Sequence, residues 1–294
     1  MWNQEFFVDY LENIKGFWVA KFELSQIPTK KKSMKIKPLR TSKSLEKELE
    51  NFMKFMVTST KNRFKSKVLK AMNKSTVKKF ADAQKGSYST IYLKLVKEFQ
   101  RSINLQFNEK RIKKYIQKLY KQNNSMNDKQ FYKSLESGIG LDIKSIIKTD
   151  GTNTFVNAKS LETTGQIIKF QNESILNYTQ NVQRLMGAGK SLDTLYEEVE
   201  NQSGKNKNKS EIVSRNELKT FNSQLSDKRA ENVGITKAIW RAVIDERSRP
   251  CHKVRDGMEY DIAKGLYSSC DGKTIKAGEE INCRCFAEYI VEFD

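Results

Sequence analysis

The chain is short of proline, histidine and cysteine, and what it has of them is placed unevenly. Its 294 residues hold 3 prolines, a single histidine, His252, and four cysteines. No stretch approaches the roughly 18–20 apolar residues that a membrane span requires. The opening residues lack the basic head and continuous apolar core of a secretory signal, so the expected setting is a cytoplasm. There, thiols or metal ligands are expected of cysteines before disulfides. No strand–GxGxxG–helix context surrounds Gly138 and Gly140, which excludes a dinucleotide fingerprint. There is no C-x-x-C pair, and the carboxylates show no metal-nuclease spacing. No complete catalytic set is present, and the expectation is that the protein is not an enzyme.

Acids are also in deficit. Lys and Arg number 54 against 35 Asp and Glu, a formal charge of +19. A charge this large bears on partners more than on fold, with nucleic acid the first candidate. Scarce proline with abundant Lys, Glu, Leu, Ile and Asn favours helices. The expected class is α+β: mostly α-helical, with long N-terminal helices and a small C-terminal α+β unit of short antiparallel strands, for which a metal is one candidate tie.

Four segments are expected. Residues 1–27 carry an aromatic stripe at three- and four-residue spacing, an amphipathic helix. Residues 28–41 are a basic linker bounded by Pro28 and Pro38, with Lys30, Lys31, Lys32, Lys35, Lys37 and Arg40 as candidate phosphate contacts. Residues 42–160 form a basic helical region whose end, from 122 onward, is turn-rich. Residues 161–294 form a C-terminal domain. In it, a helix ends at Gly187-Ala188-Gly189, Ser191 caps a short helix over 192–200, residues 201–210 are a flexible polar loop, and a helix runs over 211–233.

The scarce residue types gather in one place. Cys251, Cys270, Cys283, Cys285, His252 and Pro250 all fall between Trp240 and Cys285. Thiolates and imidazole bind Zn²⁺ tetrahedrally and can tie loops that a small core cannot hold. Cys251, Cys270, Cys283 and Cys285 supply four sulfurs, and His252 could replace one. Unliganded buried thiols and a disulfide are the alternatives, and all three remain open on sequence alone. Strands are expected over 240–244, 258–261, 274–275 and 286–293, with turns at Asp256-Gly257 and Asp271-Gly272.

The same stretch carries a family resemblance. Asp245, Arg247, Ser248, Arg249, His252 and Gly257 give D-x-R-S-R-x-x-H-x4-G, followed by E-E-I-N-C-R-C from Glu279 to Cys285. Upstream lie R-N-E from Arg215 to Glu217, then Asn222, Gly234 and Trp240. In this order the set resembles the phage Mu F-like minor head proteins, over roughly residues 174–294. The resemblance implies a minor capsid protein of a tailed bacteriophage, placed inside the head in the virion and in the host cytoplasm during assembly. Implied partners are the portal protein, capsid or scaffold proteins and double-stranded DNA bound without sequence preference. Implied roles are head assembly and DNA packaging or ejection. It also implies that Asp245, Arg247, Arg249 and His252, with Arg215 and Glu217, form a structural polar network. A nuclease or Cys-dependent effector, or a free DNA-binding protein, is the alternative reading.

Overall fold

The computed structural model describes residues 32–72, 87–140, 144 and 151–293. The helix expected over 1–27, and Lys30 and Lys31 of the basic run, lie outside the described residues. The described elements are β1 (Ser33–Lys35), α1 (Lys43–Phe64), a π-helical turn (Lys65–Leu69), α2 (Ser87–Gln106), α3 (Glu109–Ile139), α4 (Thr152–Gly187), α5 (Leu192–Asn232), β2 (Lys237–Arg241), α6 (Pro250–Arg255), β3 (Glu259–Asp261), β4 (Leu266–Ser268), β5 (Lys273–Ile275) and β6 (Phe286–Glu292). Long helices with short antiparallel strands near the C-terminus make the class α+β. No helix among the described residues is long and apolar enough to cross a membrane.

The chain forms two compact units that interleave in sequence. One takes the described residues within Thr41–Met126 and Asn153–Phe221; the other takes those within Met1–Arg40, Asn127–Thr152 and Asn222–Asp294. Both α3 and α5 contribute to each unit.

The described elements of the first unit are helices. In α1, Leu45, Leu49, Met53 and Met56 recur at three- and four-residue spacing and are buried, the stripe of an amphipathic helix. Ser42 caps its start by accepting the Leu45 amide at 3.4 Å. Phe64 meets Phe99 edge-on at 5.2 Å and stacks with Tyr178 at 5.7 Å. Tyr120 stacks on Phe221 at 3.8 Å, and its hydroxyl meets Thr163 at 2.7 Å.

Two stretches expected as irregular are helical. The polar loop expected over 201–210 is the middle of α5, a continuous helix of 41 residues. Glycine and asparagine disfavour helix in isolation. Here Ser203, Asn206 and Ser210 are buried, and Gln202 donates to Asn206 at 3.0 Å. Packing of the polar face overrides propensity. The turn-rich connector expected from 122 is likewise helical as far as Ile139. Asn127 is buried, its amide donating to Asn222 at 3.1 Å and to Ser226 at 2.7 Å, all three in the second unit.

The second unit is a four-stranded antiparallel sheet, order β1-β6-β2-β3, with the β4–β5 hairpin beside it. β2 and β6 alternate partly exposed and buried positions along their length, the period-2 pattern of a half-buried sheet. Trp240 lies opposite Ala287, so the largest inward side chain faces one of the smallest. The core joins Ile36, Phe131, Leu135, Trp240, Tyr260 and Tyr289. The basic run expected as a linker over 28–41 supplies β1, which pairs Met34 with Val291. Gly138 leaves room for it: a Cβ there would lie 2.1 Å from the Met34 methyl carbon.

Candidate functional site

The site grows from the loop after β2. Asp245 accepts the Arg247 amide at 2.9 Å, and Ser248 Oγ accepts the Asp245 amide at 3.0 Å, closing a tight polar turn. Pro250 then starts α6, where its fixed φ and missing amide cost nothing. Gly257 ends the turn of helix at φ 77, and its amide returns to the Trp240 carbonyl at 2.8 Å. α6 is thereby held against β2. His252 points inward, buried, with its ring edge-on to Trp240 at 5.6 Å.

The second half comes from the segment before β6. The Cys283 amide donates to the Glu280 carbonyl at 2.9 Å, and Asn282 takes φ 59, a left-handed conformation that asparagine tolerates. This reversal brings both sulfurs of N-C-R-C to the imidazole. Cys283 Sγ lies 3.5 Å and Cys285 Sγ 3.4 Å from His252 Nδ1. The other ring nitrogen, Nε2, is 2.8 Å from Glu280 Oε2. The hydrogen bond from Cys285 draws Cys283 below the ordinary thiol range, and the same bond together with burial pushes Cys285 above it. Burial raises the Glu280 carboxyl, but the His252 hydrogen bond and the Arg249 charge outweigh it and leave it below its usual value.

Cys251 and Cys270 do not join this cluster. They form a disulfide, with Cα atoms 5.4 Å apart, so the preference for thiols or metal ligands over a disulfide is corrected for this pair, and of the open alternatives a zinc site of all four sulfurs does not form. The reason is α6: neighbouring residues on a helix diverge by about 100°. With His252 turned inward, Cys251 faces the β4–β5 turn instead. Closing a loop of 19 residues' separation contributes about 3 kcal/mol by chain entropy.

The polar network is arranged differently from its sequence outline. Asp245 forms a two-pronged ion pair with Arg284, which holds its carboxyl well below the usual range. Arg247 gives Asp245 its amide rather than its guanidinium. Arg249 reaches Glu280 Oε2 at 3.1 Å and the Ile281 carbonyl at 2.7 Å. Arg215 and Glu217 lie in the helical unit. Arg215 pairs with Glu211 at 2.8 Å, and Glu217 accepts from Thr163 at 2.8 Å, its carboxyl raised by burial. Of the basic run, Lys35 Nζ stands 3.7 Å from Glu288, while the Lys37 and Arg40 amides bond Ser134 and Gln130. Lys32 is exposed.

Glu280 and Arg255 complete the site. Glu280 links Arg249 to His252. Arg255 is fully buried, grips both oxygens of Asp271 at 2.9 and 3.1 Å, and lies over the Trp240 ring at 5.4 Å. Glu280 sits within E-E-I-N-C-R-C, so position was the available signal; Arg255 is expected to pair with a carboxylate of this unit, but its partner is Asp271, set by where the hairpin folds back.

A protein of Haemophilus influenzae, described as uncharacterized, is 24% identical over 265 residues, which is 87% of this chain and 55% of that protein. The chain thus spans about half the length of the curated relative. No solved structure matches it. Residues 176–288 match the family model described as Phage Mu protein F like protein, and the resemblance carried by D-x-R-S-R-x-x-H and N-C-R-C therefore holds for the C-terminal part of the chain.

Proposed function

We propose that this chain is a minor head protein of a tailed bacteriophage, acting in head morphogenesis and not as an enzyme. The observation that carries the proposal is the family match over residues 176–288, which contain every cysteine and His252. The carboxylates of the unit support a structural role. Asp245 is held by Arg284, Asp271 by Arg255, and Glu280 by His252 and Arg249. Each serves as a tie between loops. The net charge of +19 suits a protein kept against packaged double-stranded DNA inside the head, next to the portal.

The test is mass spectrometry of purified virions and of DNA-free heads from the same lysate. The protein is expected in both, at a constant ratio to the portal protein. Its absence from both particles, with the protein recovered only as a free species, would favour a free DNA-binding protein or effector instead.

A further inference from the structure

We propose that His252 Nδ1, Cys283 Sγ and Cys285 Sγ form a three-donor site for a thiophilic divalent cation, zinc first. The three donor atoms all lie within 4.8 Å of one another. On a tetrahedral zinc ion, with Zn–S near 2.3 Å and Zn–N near 2.0–2.1 Å, a nitrogen and a sulfur stand about 3.6 Å apart. The two nitrogen–sulfur separations here, 3.5 and 3.4 Å, are ligand separations within about 0.2 Å.

Hydrogen bonding accounts for this arrangement less well. A neutral imidazole has one N–H, and the Glu280 carboxylate 2.8 Å from Nε2 is its natural acceptor. Nδ1 then offers a single lone pair to two sulfurs at once. One cation satisfies all three atoms. A carboxylate behind the far nitrogen of a ligand histidine is also the usual support of such a site, fixing tautomer and ring orientation.

The backbone prepares the sulfurs as well. The Cys285 amide points at Cys283 Sγ from 3.4 Å, a donor that stabilises negative charge on a thiolate. Two thiolates neutralise a dication, so the buried site carries no net charge. A cleft of about 100 Å³ opens beside the donors, bordered by Arg247, Ser248, Asn282 and Arg284. That is several times the room one water needs, so solvent supplies the fourth ligand. The ion would join α6 to the segment before β6 across 31 residues of chain, a tie that strands of three residues cannot provide.

The test uses the full chain, freed of metal by a chelator and titrated with Co²⁺ and then Zn²⁺. One Co²⁺ per chain with thiolate-to-metal charge-transfer bands and tetrahedral ligand-field bands is expected, displaced by one Zn²⁺ that raises Tm. Cys251→Ser is expected to keep the bands; Cys283→Ser and His252→Ala are expected to lose them. Because those two variants could fail to fold, Glu280→Gln provides the second readout: folded by circular dichroism, with metal affinity 10- to 100-fold weaker. Absence of charge-transfer bands in the folded wild-type chain would overturn the site, as would unchanged binding by a folded Cys283→Ser/Cys285→Ser variant. This outcome is independent of whether the protein is found in heads.

Discussion

The Tyr289 hydroxyl donates to Asp227 Oδ1 across 2.7 Å, both groups buried, so β6 is fastened to α5 by a phenol and a carboxyl inside the sheet unit. Burial dominates the carboxyl: it is pushed up to about 7, against a partial opposing effect of the Tyr289 hydrogen bond and the Lys276 charge, while Glu231 and Glu279 push the same way as burial. Tyr289 and Tyr260 are themselves raised by burial.

This predicts an inverted pH profile. A carboxyl raised from an unfolded value near 3.8 to about 7 contributes stability that is complete below 3.8 and is lost as pH rises through 7. The folded state binds the extra proton, so unfolding free energy should fall between pH 4 and 7, by on the order of a few kcal/mol. Acids held low by cations, such as Glu200 beside Lys65 and Lys61, act in the opposite sense at lower pH. Denaturant titrations across that window are the check: Asp227→Asn, which keeps an acceptor for Tyr289, should flatten the slope. An unchanged slope in the variant would assign the effect elsewhere.

The buried Arg255 predicts an ordering of variants. Removing its partner strands a cation, whereas removing both charges does not. Asp271→Ala should therefore lower Tm more than the double variant Arg255→Met/Asp271→Ala. The reverse order would mean that the Lys273 and Cys251 carbonyls, at 2.9 and 3.3 Å, satisfy the guanidinium without the acid.

Gly204 lies inside α5 with open space where a Cβ would project. Gly204→Ala should stabilise the protein by up to about 1 kcal/mol, because the helix no longer carries glycine's entropy cost. A lower Tm would show that α5 needs to give way at this point.

DNA binding, which rests on the proposed function, should be non-specific and steeply salt-dependent. Neutralising several phosphates should lose on the order of 10³-fold affinity between about 50 and 200 mM salt, in fluorescence anisotropy with unrelated duplexes. Equal affinity at both salt concentrations would remove DNA from the partners.

What could be read from the sequence follows the range of the interactions involved. The β-branched and aromatic run over 286–293 marked β6, and the glycines marked the helix end at Gly187, whereas the strand expected over 240–244 lies at Lys237–Arg241 and was legible only in part. Ser203, Asn206 and Asn127 misled because their partners are distant in sequence or face inward within a helix. The split among the cysteines depends on which way α6 turns, which spacing does not encode. β1 was hidden because three residues inside a lysine run carry almost no pattern.

The pairing of β1 with β6 also sets an order of events at the ribosome. Ser33 emerges 253 residues before Phe286, so at roughly 5–20 residues per second β1 waits on the order of 10–50 s for its neighbour. All residues of the helical unit, through Phe221, have been synthesised before then. The sheet is thus a late closure that gathers early and late chain together. The family-matched stretch 176–288, expressed alone, would hold only the first three residues of β6 and none of β1, and would leave the core without Phe131, Leu135 and Tyr289.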